Sequence, residues 1–377
     1  MAGLRGRQPA FDRMNLTRVM PAQGGILISR ARFSREGTQV QRIITSLAAA
    51  ALFLTACAAD GPTPGADEPT EVSFALDWAP NTNHTGVYVA DALGYFDDAG
   101  LDVEILPYAS TPVPELVSTG TADFGIAGQA VVQLGRTAGL DVVSVYRVTQ
   151  TEVGELAVLG NRDDIRSPKD LDGMTFGGFG SPLYSAMVRT MISHDGGAGE
   201  VTEVVLDTGA YDALTSGRID FTLSVSTWES INMELAGDPY KTFQYQDYGM
   251  PELQAVGIIS SDAFLEAEPD TADAFVRSVQ RGYQYAADNP AEAATILVDA
   301  NPDTLGESEE LVRRSIETLG RDGLWVADGV TTGWAEPEVW EDYGQFLLEH
   351  EVLVDAAGET VTDAPDWSSY YTNDHLG

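Results

Sequence analysis

The strongest constraint on the fold is a rhythm of strands and helices that runs from Val72 to Val148, stops, and starts again at Leu156. Val72-Ser-Phe-Ala-Leu76 alternates like a strand, and the apolar spacing of Thr85–Ala99 predicts a helix ended by Gly100. A strand at Leu101–Leu106, a helix opened by Pro112-Val-Pro114, a strand at Asp123–Ala127, a helix at Gln129–Ala138 and a strand at Val142–Val148 follow. The second run places strands at Leu156–Leu159, Met174–Gly177, Val201–Leu206 and Ile219–Leu223. Helices Pro182–Asp195 and Tyr211–Ser216 lie between them, and another runs over Glu229–Leu235. From Phe264 onward the pattern is mainly helical. Such alternation predicts an α/β fold of two lobes, each a mainly parallel sheet with helices on both faces. The 377 residues exceed what one core usually serves. The expected division is residues 71–153 for lobe one, 154–250 for an inserted lobe two, and 251–377 returning to lobe one with helices.

Charge divides the chain differently. Residues 1–57 carry eight Arg against Asp12 and Glu36, a net of +6, whereas residues 58–377 carry 13 bases against 56 acids, a net of −43. The acidic body repels phosphate backbones and anionic headgroups, which argues against nucleic-acid binding. Near the end of the basic leader, Arg42 precedes an apolar run from Ile43 to Phe53, and Leu54-Thr55-Ala56-Cys57 follows. That order is a secretion signal, too short to span a bilayer permanently. Leu-Thr-Ala-Cys resembles the bacterial lipobox, so lipidation of Cys57 and display on the outer face of the cytoplasmic membrane are expected. Translation from near Val40 rather than Met1 would give the signal its usual length. Residues 58–70, small, acidic and Pro-rich, read as a flexible tether.

In open α/β sheets ligands gather where strands end and helices begin. Asp77-Trp-Ala-Pro-Asn-Thr-Asn-His-Thr-Gly86 follows the first strand and concentrates an indole with amides and an imidazole. Trp78 suits stacking on a flat ligand, while Asn81, Asn83 and His84 suit its polar edge. Capping by Asn83 and core packing of Trp78 are the purely structural alternatives. Gln129 follows the Gly125-Ile-Ala-Gly128 turn. Gly177-Gly-Phe-Gly-Ser-Pro182 presents Phe179 and Ser181 at a helix start, with Tyr184 just beyond. Trp228 and Glu229 follow another strand, and Tyr248 stands in a segment expected to cross between lobes. The chain's single Cys and four scattered His argue against a disulfide framework or a metal centre. Neither GxSxG nor HExxH occurs, so no enzyme, cofactor or metal is expected.

Leu76-Asp-Trp-Ala-Pro-Asn-Thr-Asn-His-Thr-Gly86 resembles the hallmark of the thiamine-pyrimidine (ThiY-like) family of solute-binding proteins. Ala92-Leu-Gly-Tyr-Phe96, Gly120-Thr-Ala-Asp-Phe-Gly125, Ser167-Pro-Lys-Asp-Leu-Asp-Gly173, Gly217-Arg-Ile-Asp220 and Tyr371-Thr-Asn373 extend the resemblance over roughly residues 71–377. It implies a two-lobed type II periplasmic-binding fold with a ligand cleft between the lobes, serving an ABC permease and ATPase as a monomer. It also implies that Trp78 and Phe179 sandwich a heteroaromatic ring, with Asn81, Asn83 and His84 lining the cleft. The implied ligand is a thiamine pyrimidine precursor of the formylaminopyrimidine or hydroxymethylpyrimidine type. Riboflavin or another flat heterocycle is the nearest alternative, and sulfonate or nitrate would need a cation such as Arg147. The carboxylate that many relatives carry past the Gly-rich loop is missing from Pro182-Leu-Tyr-Ser-Ala186, leaving Glu229 or Asp77 to replace it. A pyrimidine-building enzyme of the family's eukaryotic branch is the remaining alternative, without that branch's cysteine-rich iron motif.

Overall fold

The computed structural model describes residues 68–206, 209–327 and 329–377; the leader, Cys57 and most of the tether lie outside them. In the first lobe, strands β1 (Thr70–Ala75), β2 (Leu101–Leu106), β3 (Phe124–Ala127) and β4 (Val143–Arg147) alternate with helices α1 (Thr85–Ala92), α2 (Tyr95–Asp98), α3 (Val113–Ser118) and α4 (Gln129–Thr137). The second lobe holds β5 (Gly154–Leu159), β6 (Thr175–Gly178), α5 (Pro182–His194), β7 (Thr202–Val205), α6 (Gly209–Thr215), β8 (Phe221–Val225), α7 (Glu229–Ala236) and β9 (Tyr240–Gln244). Strand β10 (Gly257–Ser260) returns to the first sheet. Helices α8 (Asp262–Ala267), α9 (Pro269–Asp288), α10 (Pro290–Ala300), α11 (Pro302–Leu305), α12 (Glu309–Arg321) and α13 (Pro337–Glu349) complete the chain.

The two sheets repeat one plan, β2-β1-β3-β10-β4 and β7-β6-β8-β5-β9. Each is mixed rather than mainly parallel. The fourth strand in each order, β10 or β5, runs antiparallel to both neighbours and is the one the chain enters on crossing between lobes. Alternation alone misses β9 and β10: β9 leads only into the short turn Gln246–Tyr248, and β10 is a four-residue strand, Gly257–Ser260. The helix expected over Thr85–Ala99 is two, α1 and α2. Gly94 between them sits at φ 70°, a left-handed conformation that ends α1.

Sequence accounts for the layers. Alternate residues of β1 (Val72, Phe74) and the buried stripe of α9 (Ala272, Phe275, Val276, Val279, Tyr283) meet in the first core, where Phe124 and Phe275 stack at 4.1 Å. Helix α1 approaches α9 so closely that a Cβ on Gly282 would lie 2.0 Å from the Gly86 carbonyl oxygen. A second core runs from lobe one into lobe two through Trp340, Tyr343 and Leu347 of α13. Tyr343 reaches Met187 on α5, while Gln133 of α4 donates to the Trp340 carbonyl at 2.8 Å.

The crossings are anchored unequally. On the first, Val148 and Gln150 N–H donate to the Val256 and Leu324 carbonyls, so the chain belongs to lobe one through Gln150. On the second, every polar group of buried Gln254 is held. Its N–H donates to Gln129 Oε1, its carbonyl accepts from Arg147 Nη2 at 2.7 Å, and its amide pairs with Trp334 and Glu336. Between these anchors and lobe two, Glu152 N–H donates to Glu252 Oε1 at 2.9 Å, joining one crossing to the other.

Candidate functional site

The loop after β1 folds on itself. Asn81 caps the short 3-10 turn Thr82–His84, accepting the Asn83 N–H at 2.9 Å and donating to the Ala79 carbonyl at 3.0 Å. His84 has no exposed surface. Its Nδ1 takes the Asn81 N–H at 3.3 Å, which assigns the proton to Nε2, 2.9 Å from Asp77 Oδ1. Tyr283 of α9 donates to the Asn83 carbonyl, and Thr82 and Ser315 hydroxyls share a buried 2.7 Å bond. The loop's polar inventory is therefore largely consumed in fixing its own shape. Two side chains are exceptions: the partly exposed Asn83 amide has no hydrogen-bond partner among the described residues, and Trp78 stands 44% exposed beside Tyr108, itself 42% exposed, with ring centroids 5.6 Å apart. Two large exposed rings in contact form an apolar patch looking for a partner. Tyr108 carries no motif and was legible only as a residue past a strand end.

Several expected site residues serve the frame instead. His84 is spent as a loop lock, as described. Gln129 is wholly buried, its amide held by Val339 and Gln254, so it ties α4 to α13 and the second crossing rather than meeting a ligand. The turn before it is tight for the same reason: Cβ atoms on Gly125 and Gly128 would strike Val113 and the Ala255 carbonyl. Tyr248 lies beside Phe243, near Asp195 at the C-terminal end of α5, whereas the cleft-facing loop is at the helix's other end. Tyr245, three residues earlier, is buried in the core that runs into lobe two. Ser181 opens onto a groove between lobe two, through Arg189, Glu203 and Val205, and the end of α13, through His350, Glu351 and Val352.

The second lobe presents a different surface. Burial pushes Glu152 up to about 7 although it accepts the Val153 and Gly154 N–H groups at 2.8 and 2.6 Å, and Glu252 adds repulsion. Glu152 nevertheless keeps part of its surface exposed. Enclosed and yet reachable by water describes a group in a crevice. Glu229, the first residue of α7, has the same character: burial raises it although Val225 N–H and the Tyr211 hydroxyl donate to it. Tyr184 on α5, Tyr211 on α6 and Tyr245 are raised by burial first, and Glu152 or Glu229 lies close enough to raise them further. These groups come from the starts of α5, α6 and α7 and from both crossings, where the strands of the second sheet end. Phe179, partly exposed, has Tyr184 as its aromatic neighbour at 6.0 Å. Trp228 packs on the first-lobe core.

Among the described residues no Lys or Arg acts on Glu152 or Glu229, while Arg189 lines the adjoining groove with Ser181 and Glu203. Arg147, the cation that an anionic ligand would require, is fully buried. It stacks over Trp340 at 5.5 Å, donates to Ser144 and Gln254, and is pushed down to about 9 by burial. The lobe-two cluster is thus acceptor-rich and phenolic, and the lobe-one loop presents an indole.

Residues 81–293 match the NMT1/THI5 like family. Over 335 residues the chain is 32% identical to the formylaminopyrimidine-binding protein of Halalkalibacterium halodurans, covering 85% of this chain and 98% of that one. It is 24% identical over 322 residues to the 4-amino-5-hydroxymethyl-2-methylpyrimidine phosphate synthase of Aspergillus parasiticus, covering 81% and 87%. Among solved structures, the alkanesulfonate-binding protein SsuA from Xanthomonas axonopodis pv. citri superposes with a TM-score of 0.59 at 15% identity, covering 76% of this chain and 96% of that one. That last likeness speaks for the fold alone. The chain belongs to the NMT1/THI5 like family on the type II periplasmic-binding fold, a solute-binding protein homologous to formylaminopyrimidine-binding protein.

Proposed function

We propose that this protein is the lipid-anchored, extracytoplasmic receptor through which an ABC importer takes up a thiamine pyrimidine precursor. Family membership brings the importer role and its permease and ATPase partners; the ligand and the anchor at Cys57 are the proposal. The observation that carries the ligand class is the acceptor face of lobe two. Glu152 and Glu229 are carboxylates with hydrogen-bond capacity left over, set among tyrosines and, among the described residues, without a neighbouring cation. A ligand that satisfies them brings N–H donors and little negative charge, which an aminopyrimidine does and a sulfonate or nitrate does not. The Trp78–Tyr108 pair supplies the complementary apolar surface for a flat ring.

Binding between two lobes joined by two thin crossings implies closure around the ligand, driven only by the ligand's preference for the closed state. Exposed Trp78 also favours any flat heterocycle, which keeps riboflavin as the second reading. A calorimetric and thermal-shift series with formylaminopyrimidine, hydroxymethylpyrimidine, thiamine, riboflavin and taurine separates these. A ligand at one hundred times its Kd raises stability by about 2.7 kcal/mol. Stabilisation by an aminopyrimidine with none by taurine is expected, and the reverse pattern ends the proposal. Loss of Cys57 processing under globomycin tests the anchor.

A further inference from the structure

Helix α12 touches both halves of the candidate site. Through Ser315 it shares the buried hydroxyl bond with Thr82, inside the loop that carries Trp78. One residue earlier, Arg314 Nη2 donates to Glu234 Oε2 on α7 at 2.7 Å. Helix α7 opens at Glu229, and Trp228 immediately before it packs on the core of the first lobe rather than that of its own. The neighbouring Arg313 is occupied by Glu310 and Glu317 within α12, which leaves Arg314 as the cation that α12 directs toward lobe two.

We infer that α12 and α7 form an interlobe clasp in which the Arg314–Glu234 pair holds the acceptor face of lobe two against the aromatic loop of lobe one, making Arg314 and Glu234 positioning residues for ligand binding. This rests on the cleft reading of function. Neither residue reaches the candidate ligand groups. Both are partly exposed, so the pair in isolation is worth little to stability. Its influence comes from its place. A contact made only while the lobes are together biases the open–closed equilibrium by its own free energy, and the apparent ligand affinity follows by the same factor. It is also screened by salt.

The test is a charge swap read two ways. Spin labels at Asp102→Cys on β2 and Thr202→Cys on β7, both exposed edge-strand positions, report the interlobe distance in the full chain carrying Cys57→Ser. In ligand-free protein, Arg314→Glu is expected to shift the distance distribution outward, and Arg314→Glu with Glu234→Arg to return it. With formylaminopyrimidine as the probe, the single reversal is expected to weaken binding about five- to tenfold through faster release, and the double reversal to recover it to within about twofold. Thermal unfolding of each variant establishes that it is folded. An unchanged distance in the single variant, or a double variant that stays open, overturns the clasp. Should formylaminopyrimidine bind no variant at all, the ligand reading fails while the distance arm still decides the clasp.

Discussion

The two faces of the cleft are built on opposite principles. In the loop Asp77–His84 most polar groups are bonded to another member of the loop or to α9 and α12, and the Trp78 indole and the Asn83 amide are left over. On lobe two the polar groups arrive from five separate segments, crowd together, and retain unspent acceptors at Glu152 and Glu229. The first face is a platform held by its own hydrogen bonds, most of whose polar groups are already satisfied. The second, in the proposed reading, offers its buried carboxylates to a donor. Rigidity on one side and unsatisfied acceptors on the other let a ligand be oriented by shape and selected by hydrogen bonds.

The largest effects should come from breaking the platform's support. Gly282→Ala places a methyl carbon 2.0 Å from the Gly86 carbonyl oxygen, forcing α1 from α9; overpacking of this kind destabilises by about 3 kcal/mol, read in urea unfolding. His84→Ala empties the loop lock and should lower stability by about 1–3 kcal/mol. Trp78→Ala should do the opposite, leaving the unfolding midpoint unchanged while weakening ligand binding by about tenfold, the scale of one aromatic stacking contact. If Trp78→Ala instead costs stability as His84→Ala does, the contrast between spent and unspent groups in the loop collapses.

How much of this could be read from residue order follows from the same contrast. The platform is one contiguous motif, so Trp78 and its loop stand out before any coordinates are known. The roles of His84 and Gln129 do not, because a polar residue after a strand looks the same whether its partner is a ligand or the Gln254 N–H far along the chain. Glu152, Tyr211 and Tyr245 carry no motif at all. They become a site only when α5, α6 and both crossings converge, a consequence of sheet order that alternation underdetermines. The same limit hid β9 and β10 and made mixed sheets look parallel. Alternation did convey the two-lobed α/β architecture, since it depends on local periodicity repeated twice.

The smallest effect sharpens the second face. Folded Glu152 holds its proton up to about 7, against 4.5 for an ordinary Glu, so the native state binds that proton more tightly than the unfolded chain. Stability must therefore fall as pH rises from about 4.5 to 7, and Glu229 and Glu155, also raised by burial, slope the same way. Glu152→Gln should flatten part of that slope in a series of unfolding curves. An unaltered pH profile would place Glu152 in open solvent rather than in the crevice.

The central claim is that lobe two selects its ligand by offering acceptors to N–H donors, with Glu229 foremost. The direct measurement is the affinity of formylaminopyrimidine and of its analogue lacking the exocyclic amino group, for the native protein and for Glu229→Gln. Preference for the amino compound by about ten- to a hundredfold in the native protein, largely abolished in the variant, is the predicted result. Equal affinity of the native protein for both compounds, or a preference that survives Glu229→Gln intact, would contradict it.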